Sequence, residues 1–123
     1  MKWTPIPETL KEAVERLKGL KGLKAFAAKG EDDAVGSTHH FLGMTIRNEW
    51  GLWAGSPLAQ SLFATLKLWH ADDMSALIIR CLHRDLNGRP WHVKQIAKKY
   101  HDFWKRQGPV KKPAWAKCKS CPR

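Results

Sequence analysis

HADDMSALIIRCLHRDLNG, residues His70 to Gly88, is the stretch that decides the fold. Met74, Leu77, Ile78, Cys81, Leu82 and Leu86 recur at three- and four-residue spacing, which places a broad apolar face on one side of an α-helix. Asp72 and Asp73 stand in its first turn, where carboxylates favour the positive end of the helix dipole. Asn87-Gly88 supplies the stop. Arg80, His83 and Arg84 fall on the polar face, with the basic residues toward the C-terminal end. A helix with so wide an apolar face needs several partners to cover it.

The flanking sequence supplies them. Upstream, Ser56-Pro57 is a strong helix start, a capping hydroxyl followed by proline at the first position. Leu58, Leu62, Phe63 and Leu66 form that helix's buried stripe. Before it, Leu42, Ile46, Trp50 and Trp53 recur at helical spacing from about His39, with Ser37 or Thr38 as cap and Gly51 and Gly55 as the end. The segment Gly30 to Thr38 reads as an acidic loop. Near the start, Thr9 with Glu12 fits a capping box, and Leu10, Ala13, Val14, Leu17 and Leu20 share one face. Downstream, a last helix from near Pro90 to about Arg106 sets Val93, Ile96, Ala97, Tyr100 and Trp104 on one side. No segment alternates at period two and no repeat is visible. The expected fold is all-α: a compact bundle of about five short helices in one domain, residues 1–106, with an irregular basic tail, residues 107–123.

With 123 residues, 43% hydrophobic and 27% charged, the chain suffices for one hydrophobic core. No apolar run approaches the roughly 20 residues of a membrane helix, and the N-terminus lacks the apolar segment of a secretory signal. Membrane is therefore not among the expected partners. Three cysteines, an odd number, point to a reducing, cytoplasmic setting. The formal charge is +11, and it is local: residues 87–123 hold 11 basic side chains and one acid, Asp102, while the preceding 86 are close to neutral. Such asymmetry suggests a body plus a basic arm for an anionic partner.

Catalytic motifs do not survive inspection. His83-Arg84-Asp85-Leu86 copies a kinase catalytic-loop string, but the metal-binding asparagine would stand five residues after the aspartate, and Asn87 comes two after. His39-His40 with His101-Asp102 would need a further downstream aspartate for metal-assisted phosphate hydrolysis, and no acid follows Asp102. There is no P-loop and no nucleophile-elbow serine. Cys118 and Cys121 have zinc-knuckle spacing, yet a structural zinc needs four ligands, so two incidental thiols and no cofactor are expected. A non-enzymatic protein is the expectation.

Residues 40–88 contain Ile46-Arg47-Asn48-Glu49-Trp50-Gly51-Leu52-Trp53, Ser56-Pro57-Leu58, His70-Ala71-Asp72-Asp73-Met74-Ser75 and Leu86-Asn87-Gly88. This block resembles a small family of bacterial and phage proteins that carry a domain of unknown function. That family shows Arg-Asn-x-Trp-Gly-Leu-Trp, a nearby Ser-x-Leu, His-Pro-Asp-Asp-Met-Ser and a closing Leu-Asn-Gly. Ala71 departs from it, since the family tends to have proline there. The resemblance implies a fold unit and a bacterial or phage origin, and it brings no activity with it.

Two binding readings follow from the residues. In the first, nucleic acid is bound by Lys94, Lys98, His101 and Lys105, aligned on one face of the last helix, together with Lys99, Arg106, Lys111 and Lys112, while Trp91, Trp104 and Trp115 stack or wedge. In the second, Arg47, Asn48, Trp50, Trp53, His70, Ser75, His83 and Arg84 surround a nucleotide. Set against the second is a structural role: Arg47 pairs with Asp72 or Asp73 and staples two helices, and Trp50 and Trp53 are core. A third reading has the basic arm dock on an acidic host protein. Seven tryptophans in so short a chain are also compatible with a homo-oligomer.

Overall fold

The computed structural model describes residues 1–116. Its elements are α1 (Leu10–Leu17), α2 (Leu23–Ala28), α3 (Glu31–Thr38), α4 (Met44–Glu49), α5 (Pro57–Leu66), α6 (Ala71–Leu86) and α7 (Val93–Gln107). A π-helical turn, His39–Gly43, fuses α3 and α4 into one rod. The described residues contain no strand, and the all-α expectation holds. Cys118 and Cys121 lie outside the described residues.

The stretch that decides the fold is its axle. α6 packs against every other helix and against the π turn. Met74, Leu77, Ile78, Cys81 and Leu82 on it are wholly buried. Its cap is His70, whose Nδ1 accepts a hydrogen bond from Asp72 N at 3.1 Å. Burial pushes the Cys81 thiol up to about 12, so this cysteine is an inert core residue. His83 belongs to the core rather than to the polar face. Its Nε2 meets Lys29 O at 2.7 Å and its ring meets Phe26 edge-on, while Nδ1 has no hydrogen-bond partner among the described residues.

Around the axle, most sequence signals translate directly. Thr9 Oγ1 accepts from Glu12 N at 3.2 Å, and the Glu12 carboxylate accepts from Glu8 N at 2.9 Å, closing the box one residue early. Ser56 Oγ accepts from Ala59 N at 3.3 Å and starts α5 as expected. The last helix begins at Val93, after His92 in a left-handed conformation, a little beyond Pro90.

Two expectations are corrected. Gly30 to Thr38 is not a loop but helix α3. Glu31, Asp32 and Asp33 occupy its positive first turn, Ala34 and Val35 bury against the core, and Glu31 is anchored by arginines of α6. Ser37 and Thr38 do not cap; their hydroxyls donate back to Ala34 O. Trp53 is not core: it is 54% exposed, whereas Trp50 is fully buried and donates Nε1 to Trp3 O. The helix ends at Glu49 and Gly51 turns the chain at φ +63°, so Leu52, not Trp53, enters the core.

After α7 the chain doubles back. Trp115 and Ala116 join Phe63, Trp69 and Trp104 in a second, smaller cluster. Trp115 donates Nε1 to Trp53 O and lies so close over Gly55 that a Cβ there would meet the indole. The packed part of the molecule therefore runs past Arg106.

Candidate functional site

Of the eight residues of the nucleotide reading, Arg47, Ser75, His70 and Trp53 gather near the start of α6, through Asp72 and a ring contact, whereas the other four do not join them. Arg47 is 6% exposed and each nitrogen of its guanidinium has a partner: Nη1 donates to Ser75 Oγ at 2.8 Å, Nη2 to His39 O at 3.2 Å, and Nε lies 3.3 Å from Asp72 Oδ1. Ser75 Oγ in turn donates to Asp72 O at 3.0 Å. Gly43 leaves room for this arrangement, since a Cβ there would sit 2.9 Å from Arg47 Nη1 and the guanidinium would have to shift. This is the staple, joining α4 to the start of α6. Trp50 lies in the core, and Asn48 is exposed. His83 and Arg84 lie at the far end of α6; the nine residues from Ser75 to Arg84 span about 13 Å of helix.

That far end is a charge-balanced cluster. Arg84 Nε donates to Glu31 Oε1 at 2.6 Å, and Arg80 Nη1 donates to Glu31 Oε2 and Asp32 Oδ1, both at 2.8 Å. Arg84 also donates to Trp91 O. Arg84 and Arg80 hold the Glu31 carboxyl down at about 2. A cleft of about 380 Å³ opens beside the cluster toward Lys99, Tyr100 and Phe103. Asp73 lines it with a carboxyl raised by burial, although it accepts Trp104 Nε1 at 2.8 Å. Both arginines are thus answered by carboxylates of α3.

The α5–α7 side is different. A groove of about 380 Å³ is lined by Lys67, Lys94, Lys98, His101 and Lys105, with Asp102 as the one carboxylate. α7 contributes four of these because residues 94, 98, 101 and 105 fall on one helical face. The α5 C-cap contributes the fifth. Lys67 sits in a left-handed conformation at φ 59°, and with no glycine at that position the sequence carried no signal for it. His101 Nε2 meets Leu66 O at 2.8 Å, which seats α7 on α5 and fixes the groove floor. Lys98 pairs with Asp102 at 2.8 Å, and that contact holds the Asp102 carboxyl below its usual range. Lys94, Lys99, Lys105, Arg106, Lys111 and Lys112 are exposed and have no carboxylate within ion-pair distance among the described residues. Lys99 opens onto the other cleft, while Lys111 and Lys112 line a third, aromatic one. Trp104 and Trp115 pack inward instead of standing free.

The chain belongs to the family described as Domain of unknown function (DUF6794), whose model matches residues 6–86. The match takes in α1 through α6 and stops where α6 ends, so α7 and the returning segment lie beyond it. No curated protein and no solved structure matches the chain.

Proposed function

We propose that this is a non-enzymatic nucleic-acid-binding protein, cytoplasmic and of bacterial or phage origin, that holds phosphates in the groove between α5 and α7. The observation that carries this reading is the convergence of Lys67, Lys94, Lys98 and Lys105 on one groove with a single carboxylate. Elsewhere the protein neutralises its buried or half-buried cations internally, as it does Arg47, Arg80 and Arg84. Here the spacing along α7 leaves a stripe about 16 Å long, enough for several phosphates of one backbone. The nucleotide reading centred on Arg47 and Arg84 loses its cations to Asp72 and Glu31.

The test is a mobility-shift titration at several salt concentrations with the wild-type chain and the triple variant Lys94→Glu, Lys98→Glu, Lys105→Glu. Neutralising about four phosphates predicts a log–log salt slope of roughly −3 to −4. The variant should keep its helical circular-dichroism spectrum and lose binding by at least about a hundred-fold. Binding that ignores salt, or that survives the triple reversal, overturns the proposal. So does a stable acidic protein partner that resists nuclease and competes for the same lysines.

A further inference from the structure

The returning segment builds a cleft that the groove alone does not explain. About 370 Å³ in volume, it lies between Trp53, Trp69 and His70 on one side and Lys111, Lys112 and Pro113 on the other. That volume is in the range of small-molecule sites. Its aromatic wall is rigid. His70 stacks on Trp104 at 5.3 Å and 25°, Trp69 packs on Trp104 at 4.8 Å, and Trp104 is pinned through Nε1 to Asp73. Because His70 Nδ1 accepts from Asp72 N, the neutral ring carries its hydrogen on Nε2.

Trp53 is the exception to this packing. Among the described residues the one ring that approaches it is His70, at 5.6 Å and 71°, so nothing is stacked parallel on the indole. Its backbone is nonetheless held, since Trp53 O accepts from Trp115. An exposed indole on a fixed backbone, beside a rigid aromatic wall and two lysines, combines a flat apolar surface with positive charge at its rim. A nucleobase joined to its phosphate has the complementary distribution.

We infer that this cleft takes one unstacked nucleobase against Trp53, with the adjoining phosphate at Lys111 and Lys112, and that the partner is therefore a single strand. The inference rests on the nucleic-acid reading of the α5–α7 groove and extends it. The two sites share no lining residue but are linked through the end of α7. Lys105 closes the groove at the C-terminal end of α7, and its neighbour Trp104 packs on the Trp69 and His70 that wall the cleft. A duplex keeps its bases stacked inside and offers none to such a surface. A single strand offers every base, and aromatic stacking accepts any of them.

Fluorescence anisotropy with a labelled 12-nucleotide single strand and a blunt-ended 12-base-pair duplex without a loop tests this, using the full chain, Trp53→Ala, Trp53→Phe and the α7 triple variant. Trp53→Ala should weaken single-strand binding about five- to a hundred-fold at an unchanged salt slope, because stacking is lost and no charge is. Duplex binding should not move, and Trp53→Phe should restore most of the single-strand affinity. Equal effects of Trp53→Ala on both nucleic acids, or none on the single strand, overturn the single-strand inference and leave the groove reading standing. Wild-type protein that binds neither nucleic acid overturns both.

Discussion

Residues 6–86 and the α7 segment that follows handle charge in opposite ways. The family-matched body carries ten basic and ten acidic side chains, and its principal arginines are paired inside it: Arg47 with Asp72, Arg80 with Glu31 and Asp32, Arg84 with Glu31. Lys18 follows the same rule, with Glu15 and Asp85. Beyond Leu86 the one acidic side chain is Asp102, and among the described residues it pairs with Lys98 alone. A cation near its own carboxylate fixes structure, whereas a cation without one remains available to an outside anion. The body therefore uses its principal arginines and Lys18 to hold helices together, whereas the last helix and its returning segment, with Lys67 of the body beside them, display their cations.

Breaking the staple should expose this contrast most sharply. Arg47→Ala leaves Asp72 and Ser75 without their donor at the α4–α6 junction. Asp72 is 43% exposed and can be solvated, so the cost comes from the buried guanidinium's hydrogen bonds to Ser75 and His39 O and from its packing, about 2–3 kcal/mol. A chemical-denaturation curve should show that loss, and the α7 triple variant should shift by much less. If Arg47→Ala keeps wild-type stability, the division between structural and displayed cations fails at its strongest point.

Acid should act on the body too. Glu31 sits at about 2 against an ordinary 4.5, so its contribution is complete above roughly pH 5 and disappears as pH falls toward 2. With solvent screening at this half-buried site the contribution is about 1–2 kcal/mol. Asp73 works in the opposite sense, since burial raises its carboxyl and protonation there favours the fold as pH drops. Thermal melts between pH 6 and 2.5 should therefore fall, and Glu31→Gln should start lower and fall less steeply. Parallel curves for both proteins would remove Glu31 as the acid-sensitive contact.

Much of this was legible in the chain, for identifiable reasons. α6, the Ser56-Pro57 start, the Thr9 box and the α7 lysine stripe are local patterns of three- and four-residue spacing, and local patterns survive folding. The Arg47–Asp72 pairing was also readable, because a guanidinium in an apolar helix needs a carboxylate and few were to hand. What escaped depended on distant contacts. α3 looked like a loop because its stabiliser, the Glu31–Arg84 pair, spans 53 residues. Trp53 looked like core because the π turn and Gly51 alter the helical phase that its spacing assumed. Lys67 and the aromatic cleft arise only when α7 docks and the chain returns over Gly55.

That return gives the mildest way to probe the two regions. Gly55 has φ +73°, and a Cβ placed on it would meet the Trp115 ring. Gly55→Ala should cost about 1–2 kcal/mol from the left-handed backbone alone. Its distinctive effect is local: Trp115 is displaced, residues 108–116 lose their hold on the body, and the cleft at Trp53 opens. Limited tryptic digestion should then cut after Lys111 faster than in the wild type, Pro113 blocking the bond after Lys112, while the amides of α6 stay protected from hydrogen exchange. Single-strand affinity should fall toward that of Trp53→Ala while the α7 stripe keeps its salt slope. Unchanged proteolysis at Lys111 would mean that Trp115 does not hold the segment, and the displayed charges would then belong to α7 alone.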